Sequence, residues 1–267
     1  MLKDITLGQF FPGDSIIHRL DPRTKLILVV LYIAALFIAK WYISYALVLA
    51  FLILSISLSN VKIRTIAKGI KPLVVIIIIT AILNLFYTPG RTLVQFWIFT
   101  ITWEGIQSAL FMVARIVMLI AGTFLLTYTT SPIALTDGIE LLLNPLKKIH
   151  VPVHELAMMM SIALRFIPTL IEETDKIMSA QKARGADFET GNLFARAKAL
   201  VPILVPLFIS SFRRADELAV AMECRCYHGG EGRTRLKQLH YQSRDTVALI
   251  VGCALLAGVI VLRVLGL

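Results

Sequence analysis

The sequence of 267 residues is strongly apolar, with 57% hydrophobic residues and a mean hydropathy of +0.79. Soluble domains contain roughly 45–50% apolar residues, so this composition excludes a soluble domain and indicates an integral membrane protein. The 27 Lys and Arg outnumber the 17 Asp and Glu, which gives a formal net charge of +10. In a membrane protein, this excess indicates an anionic membrane face or acidic protein partners rather than nucleic acid.

Apolar runs of about 20 residues can cross a bilayer, and they predict five transmembrane helices in this chain. The first run, residues 26–58, is too long for one helix, and Lys40-Trp41 marks a tight turn within it. The predicted crossings are therefore residues 26–39, 41–58, 72–87, 105–128 and 246–267. Up to eight membrane-contacting segments remain the alternative, because residues 155–171 and 199–212 are also apolar, although short and interrupted by proline.

Basic residues collect at alternate ends of these predicted helices. Three precede the first helix and four follow the second: Arg19, Arg23, Lys25, Lys62, Arg64, Lys68 and Lys71. Because basic loops stay on the cytoplasmic side, the amino terminus and residues 129–243 are predicted to be cytoplasmic. The predicted domains are a membrane domain, residues 1–128, a cytoplasmic or interfacial domain, residues 129–243, and a C-terminal transmembrane helix, residues 244–267.

The segment 129–243 contains three predicted helices. Ser131-Pro132 opens the first, and Asn144-Pro145 ends it, because the residue before a proline disfavours the helical conformation. The second runs from about Val153 to Arg184 with a bend at Pro168, and the third from about Leu193 to Arg225. The predicted fold class is therefore an all-α polytopic membrane protein with a cytoplasmic domain of long, proline-bent helices.

The ends of the second and third helices of this segment form an internal repeat. DKIMSAQKARG, residues 175–185, aligns with DELAVAMECRC, residues 216–226. The identical pairs are Asp175 with Asp216, Ala180 with Ala221, and Arg184 with Arg225. Each arginine stands between two small residues, in Ala183-Arg184-Gly185 and in Cys224-Arg225-Cys226.

Two interpretations of Arg184 and Arg225 follow from the residues alone. A cation near a helix carboxyl end is favourable by roughly 0.3–1 kcal/mol, and this effect needs no partner. The repeated ending with small flanking residues instead favours a guanidinium that enters a confined site on another protein, where arginine pairs bidentately with carboxylates. Truncation of such a buried anchor commonly costs about 2 kcal/mol or more.

Two other groups of residues are weaker candidates. Cys224, Cys226 and His228 stand at alternate positions, but a tetrahedral metal site needs a fourth ligand and usually wider cysteine spacing, so no metal is predicted. Arg115 lies within the fourth predicted membrane helix, where a charged side chain is costly. Arg115 is therefore a functional candidate by default. A bonded partner carbonyl and a snorkelling position explain Arg115 equally well.

No nucleotide-binding motif of the form G-x-x-x-x-G-K-[ST] or G-x-G-x-x-G occurs in the sequence. No nucleophile, base and orienting group stand at motif spacing either. The chain is therefore predicted not to be an enzyme and to bind no cofactor itself. The alternative hypothesis is a membrane enzyme that uses the basic helices of residues 129–243 to bind lipid phosphate.

Three stretches carry a family resemblance: DSIIHRLDPRTKL (residues 14–26), residues 131–187 and AMECRCYH (residues 221–228). They closely resemble the transmembrane coupling component of energy-coupling factor (ECF) transporters, the EcfT or CbiQ-like family, and the resemblance spans nearly the whole chain. In that family two Ala-Arg-Gly-like triplets end two coupling helices. The triplets around Arg184 and Arg225 match them, with cysteine as the small residue on both sides of Arg225.

This resemblance implies a coupling subunit of a vitamin or micronutrient importer in a prokaryotic cell membrane. It implies that the two arginine ends dock on two cytoplasmic ABC-type ATPases, EcfA and EcfA', which bind ATP and Mg. The membrane and coupling helices would hold a small substrate-binding S component. The residues then expected to support the coupling helices are Asp175, Asp216, Ala180, Ala221 and Pro168.

Overall fold

The computed structural model describes residues 10–96, 99–188, 192–230 and 238–266. Within these residues the chain forms helices and a single antiparallel β-hairpin. The elements are α1 Pro22–Ile38, α2 Tyr42–Ser59, α3 Ile63–Ile70, α4 Val74–Tyr87, β1 Thr92–Phe96, β2 Phe99–Thr102, α5 Trp103–Thr129, α6 Pro132–Leu143, α7 Val153–Ala183, α8 Leu193–Glu223 and α9 Ser243–Leu265. The predicted all-α class is confirmed, and the hairpin between α4 and α5 is a small addition that the sequence pattern did not indicate.

Five helical stretches in the described part of the chain are long and apolar enough to cross a membrane. They are Tyr42–Ser59, Ile63–Tyr87, Trp103–Thr129, Val153–Ala183 and Ser243–Leu265. The number of membrane-crossing stretches agrees with the sequence prediction, but one of the five is a different helix. The 17 residues of α1 rise only about 26 Å, which is short for a membrane crossing. The 31-residue α7 qualifies instead, because its first half is apolar.

The third membrane stretch begins earlier than predicted. The sequence pattern predicts a basic loop before position 72, whereas these residues form α3, which a short 3-10 segment, Lys71–Leu73, joins to α4. Arg64 and Lys68 share one face of α3, while Ile66 is buried. Pro72 lies in the first turn of the 3-10 segment, where its missing N–H costs little. The basic segment is therefore an amphipathic helix.

The described chain divides into two compact units. The large unit contains the described residues between Gly8 and Ile139 and those between Leu239 and Leu267. The small unit contains the described residues between Glu140 and Gln238, with α7 and α8 as its main helices. The three-part domain division drawn from the sequence stays a prediction.

In the large unit, α1 and α5 pack in antiparallel directions. Three hydrogen bonds join them: Lys25 Nζ to the Thr129 carbonyl (2.8 Å), Tyr32 Oη to the Met118 carbonyl (3.0 Å), and Arg115 Nη2 to the Ala39 carbonyl (3.4 Å). Their order along α1 is the reverse of their order along α5. The side chains of Leu36, Val48 and Val259, from α1, α2 and α9, are fully buried in the core of this unit.

The amino ends of α1 and α9 are joined through Asp21 and Asp245. Asp245 is buried, and its two carboxylate oxygens accept the backbone N–H groups of Asp21 and Gln242, each at 2.8 Å. Asp21 caps α1 by accepting the Arg23 N–H at 2.9 Å and also accepts Arg23 Nε and Nη2 at 3.1 and 3.0 Å. Burial alone would raise the pKa of Asp21, but the bonds from Arg23 outweigh it and hold the pKa below its usual value.

In the small unit, α7 and α8 pack in antiparallel directions. The Glu173 carboxylate accepts Arg214 Nη2 at 2.7 Å and the Ser210 hydroxyl, and a weaker bond of 3.5 Å joins Gln181 Nε2 to the Pro202 carbonyl. As α7 advances from Glu173 to Gln181, its contacts on α8 move back toward the start of that helix. Both helices continue through their internal prolines, and the bend at Pro168 stays a prediction.

Candidate functional site

The carboxyl end of α7 is a Schellman motif, in which two backbone bonds close the last turn. The Ala186 N–H donates to the Gln181 carbonyl and the Gly185 N–H donates to the Lys182 carbonyl, both at 3.0 Å. Gly185 has a φ of 87°, which is the left-handed conformation that this motif requires. Arg184 is thereby held as the capping residue, between the last helical residue and the left-handed one.

The carboxyl end of α8 repeats this motif residue for residue. The Tyr227 N–H donates to the Met222 carbonyl at 3.1 Å, and the Cys226 N–H donates to the Glu223 carbonyl at 2.8 Å. Cys226 takes the left-handed position with a φ of 53°. Arg225 therefore occupies the position that Arg184 occupies on α7, so the sequence repeat is also a repeat of backbone geometry.

Both guanidinium groups are available to a partner. The side chains of Arg184 and Arg225 are exposed, and neither forms a hydrogen bond or ion pair with any residue that the structure describes. The flanking residues are exposed as well: Ala183, Gly185, Cys224 and Cys226. These small neighbours leave room around each arginine for the walls of a receiving site on another protein.

The two arginines lie at opposite ends of the α7 and α8 pair, because these helices are antiparallel. At 1.5 Å per residue, Arg184 lies about 17 Å along α7 beyond Glu173. Arg225 lies about 22 Å along α8 beyond Ser210, in the opposite direction. The two ends are therefore presented separately, which suits two partners better than a single site that takes both arginines.

The other residues predicted to support these helices do not bond to the two guanidinium groups. Asp175 is half-buried, whereas the remaining four are exposed: Asp216, Ala180, Ala221 and Pro168. The Ala180 carbonyl accepts the Arg184 backbone N–H at 3.2 Å in the last turn of α7. Among the described residues, no hydrogen bond or ion pair links any of the five to either guanidinium group. Their supporting role stays a prediction. The sequence missed the Glu173 and Arg214 pair, whose partners lie on different helices and share no local pattern.

The cysteines beside Arg225 are free and exposed. His228 Nδ1 donates to the neighbouring Cys226 carbonyl at 2.8 Å, so this nitrogen is engaged locally. Across the described residues, no group of three His, Cys, Asp or Glu side chains is arranged to hold a metal ion.

In the large unit, Arg115 Nε donates to the Tyr45 hydroxyl at 2.9 Å, in addition to the bond from Nη2 to the Ala39 carbonyl. The sequence left a bonded carbonyl and a snorkelling position open for Arg115, and the structure shows the bonded carbonyl.

The fold and the two helix ends together define a polytopic helical membrane protein that presents paired arginine tips. The chain matches the CbiQ family, described as cobalt transport protein, over residues 13–236, and it belongs to this family. Its function is that of the transmembrane component of an ECF transporter, as predicted from the resemblance.

Relatives called energy-coupling factor transporter transmembrane protein EcfT match nearly the whole chain. The protein of Clostridium kluyveri is 59% identical over 257 residues, which cover 96% of this chain and 94% of that protein. The protein of Thermosediminibacter oceani is 55% identical over 262 residues, 98% of this chain and 99% of its own length. The protein of Bacillus subtilis is 51% identical over 260 residues, 96% of this chain and 98% of its own length.

Proposed function

We propose that this chain couples two cytoplasmic ABC-type ATPases, which dock at Arg184 and Arg225, to a substrate-binding membrane subunit of an importer for vitamins or other micronutrients. The observation that carries this proposal is the pair of equivalent helix ends, each with an exposed arginine that has no described partner. Stabilisation of a helix end by its own cation accounts for one such residue. It does not account for identical caps at opposite ends of a helix pair.

The helix pair supplies the mechanical link in this proposal. Glu173 on α7 binds Ser210 and Arg214 on α8, within the second half of each helix. A long helix moves as a rigid element, so displacement of one arginine end changes the angle at this joint. When the ATPases approach each other and separate, the angle between α7 and α8 follows. That change tilts the bound membrane subunit and releases its substrate inward.

The orientation of the chain is part of the proposal. The end of the large unit where α1 and α9 begin is rich in basic residues, including Arg19, Arg23, Lys25 and Arg244. The turn between α1 and α2, at the other end, contains one basic residue, Lys40. Basic residues favour the cytoplasmic side, so this end of the large unit faces the cytoplasm. The two arginine tips are assigned to the cytoplasm separately, because the ATPases proposed to dock there are cytoplasmic. The described part of the chain offers no nucleotide motif, and ATP and Mg²⁺ are assigned to the partner ATPases.

Charge reversal at the two tips tests the docking directly. With the transporter subunits coexpressed, Arg184→Glu and Arg225→Glu should each lower recovery of one ATPase, and the double variant should release both. Lys176→Glu on α7 and Arg213→Glu on α8 are matched controls, because both side chains are exposed and neither caps a helix. If the double variant keeps both ATPases and full transport, docking through these arginines is wrong.

The alternative of a membrane enzyme that binds lipid phosphate is not favoured, because family membership assigns the chain to transporters. The same double variant distinguishes the two functions. Loss of both ATPases with unchanged lipid binding supports the coupling subunit, whereas loss of lipid binding with both ATPases retained supports the alternative.

A further inference from the structure

A cavity of about 450 Å³ lies within the large unit, lined by α1, α2, α5 and α9. Apolar side chains form most of its wall, among them Leu28, Val29, Phe51, Leu125 and Val251. Leu54 and Val247 also line it and are 54% and 59% exposed, so the cavity opens onto the outer surface of the helices. An apolar cavity that opens toward lipid suits a hydrocarbon chain.

Four polar residues of the cavity lie near the end where α1 and α9 begin: Lys25, Thr129, Ser243 and Arg244. Tyr32 lies in the second half of α1, and Ser55 lies on α2. Several are already bonded: Lys25 Nζ to the His18 and Thr129 carbonyls, the Thr129 hydroxyl to the Leu125 carbonyl, and the Tyr32 hydroxyl to the Met118 carbonyl. Ser243 and Arg244 also line the cavity, and their side chains form no hydrogen bond or ion pair with described residues. Toward the described residues, both side chains are therefore available to a ligand.

The charges at this end favour an anion at Arg244. Asp21 is paired with Arg23 at 3.0 Å, and the Asp245 carboxylate accepts two backbone N–H groups. The Lys25 ammonium is bonded to neutral carbonyls and interacts with the Asp245 and Asp21 carboxylates, so Asp21, Arg23, Lys25 and Asp245 balance in charge and Arg244 is the excess cation. Arg244 is exposed and has no acidic partner in the described chain. It also lies in the first turn of α9, where the helix dipole favours negative charge.

We propose that this cavity binds one acyl chain of an anionic phospholipid, whose phosphate is held by Arg244 and Ser243. The occupant must be amphipathic, because the cavity is apolar along its length and cationic at one end. A free inorganic anion would gain nothing from the apolar walls, and in a zwitterionic lipid the choline cation would offset the phosphate charge beside Arg244. Arginine binds phosphate bidentately, which fixes the head group at the membrane surface. This lipid site does not depend on docking at Arg184 and Arg225.

Lipid binding to the purified full-length chain tests the proposal. After delipidation in neutral detergent, the chain is mixed with phosphatidylglycerol or with phosphatidylcholine that carries the same acyl chains, and retained lipid is counted by native mass spectrometry. The wild type should retain one phosphatidylglycerol in preference to phosphatidylcholine. Arg244→Ala should reduce that preference about ten-fold, as expected for loss of a charge-assisted hydrogen bond.

Variants that fill the cavity test its apolar part. Ala248→Phe should abolish retention of both lipids, because Ala248 lines the cavity and a phenyl ring would occupy it. If Ala248→Phe does not fold, Ser55→Phe serves in its place, because Ser55 lines the same cavity from α2. Arg263→Ala and Ala257→Phe, at exposed positions of α9 outside the cavity, are the matched controls and should bind as the wild type does.

Three results would overturn the lipid site. They are equal retention of the two lipids by the wild type, unchanged retention in both cavity-filling variants, and displacement of the lipid by inorganic phosphate alone. The last result would assign Arg244 to a soluble anion. Equal retention of phosphatidylglycerol by the wild type and Arg244→Ala would also contradict the assigned head group.

Discussion

Gly185 and Cys226 occupy the same left-handed position, directly after the capping arginines of α7 and α8, with φ of 87° and 53°. Glycine adopts this conformation readily, whereas a residue with a Cβ pays roughly 1–2 kcal/mol for it. A Cβ at Gly185 would meet nothing within 4 Å, so backbone strain alone distinguishes the two positions. The end of α8 is therefore strained where the end of α7 is relaxed.

Substitutions at these two positions should have opposite effects. Cys226→Gly should raise the free energy of unfolding of the α8 end by about 1 kcal/mol, and Gly185→Ala should lower that of the α7 end by a similar amount. Amide hydrogen exchange in the last turn of each helix measures both. Cys224→Ala is the control, because Cys224 has a helical φ of −59°. Faster exchange in Cys226→Gly than in the wild type would contradict the strain.

The Glu173 and Arg214 pair should control how firmly α7 and α8 are joined. Their side chains are only 20% and 33% exposed, and Arg214→Ala leaves the Glu173 carboxylate with Ser210 as its one described side-chain donor. We expect α7 and α8 to loosen by about 1–3 kcal/mol, the cost of a half-buried acceptor that loses a charged partner. Hydrogen exchange of both helices around this joint measures the effect.

Two further variants show whether the pair itself is responsible. Arg213→Ala removes an exposed neighbour of the same charge and should leave exchange unchanged. Reversal of the pair, Glu173→Arg with Arg214→Glu, should restore part of the protection lost in Arg214→Ala. If Arg213→Ala loses as much protection from exchange as Arg214→Ala, the effect comes from the charge of α8 and not from the Glu173 and Arg214 contact.

The helices and the repeat could be predicted from the sequence because their signals are local. Proline positions and apolar spacing place the ends of α7 and α8 within a residue or two of the observed bounds. The alignment of Arg184 with Arg225 also predicts the shared caps. By contrast, basic residues indicated a loop where α3 forms, because Ile66 shows its burial only in the tertiary fold.

The remaining features depend on partners far apart in the chain. Asp21 and Asp245 are joined at the starts of α1 and α9, and no local pattern pairs them. The antiparallel packing of α7 and α8, which separates the arginine tips, depends on contacts such as that of Glu173 with Arg214. The left-handed Cys226 was also missed, because cysteine carries no signal for that conformation.

Acid should destabilise the large unit through Asp21. Its pKa in the folded chain is lowered from 3.8, because the bonds from Arg23 outweigh burial. A lowered folded-state pKa contributes stability that is present above pH 3.8 and is lost as the pH falls from 3.8 through the folded value. The melting temperature of the purified chain should therefore fall over this range, and less steeply in Asp21→Asn. Asp14→Asn is the control, because that side chain is 94% exposed. Identical pH profiles for Asp21→Asn and the wild type would contradict the role of Asp21.

Gly122 sets how closely α5 approaches α1. A Cβ at Gly122 would lie 2.5 Å from Tyr32 Cε1, and Tyr32 is buried with its hydroxyl bonded to the Met118 carbonyl. Gly122→Ala gains helix propensity of about 1 kcal/mol, but the overpacked ring should cost about 1–3 kcal/mol, so a net loss of stability is expected. Gly258→Ala is the matched control, because its Cβ would meet only Leu47 Cδ2 at an ordinary 3.4 Å. Thermal unfolding should show a lower melting temperature for Gly122→Ala and an equal or higher one for Gly258→Ala. If both variants melt above the wild type, Tyr32 moves aside at little cost and Gly122 does not limit the helix approach.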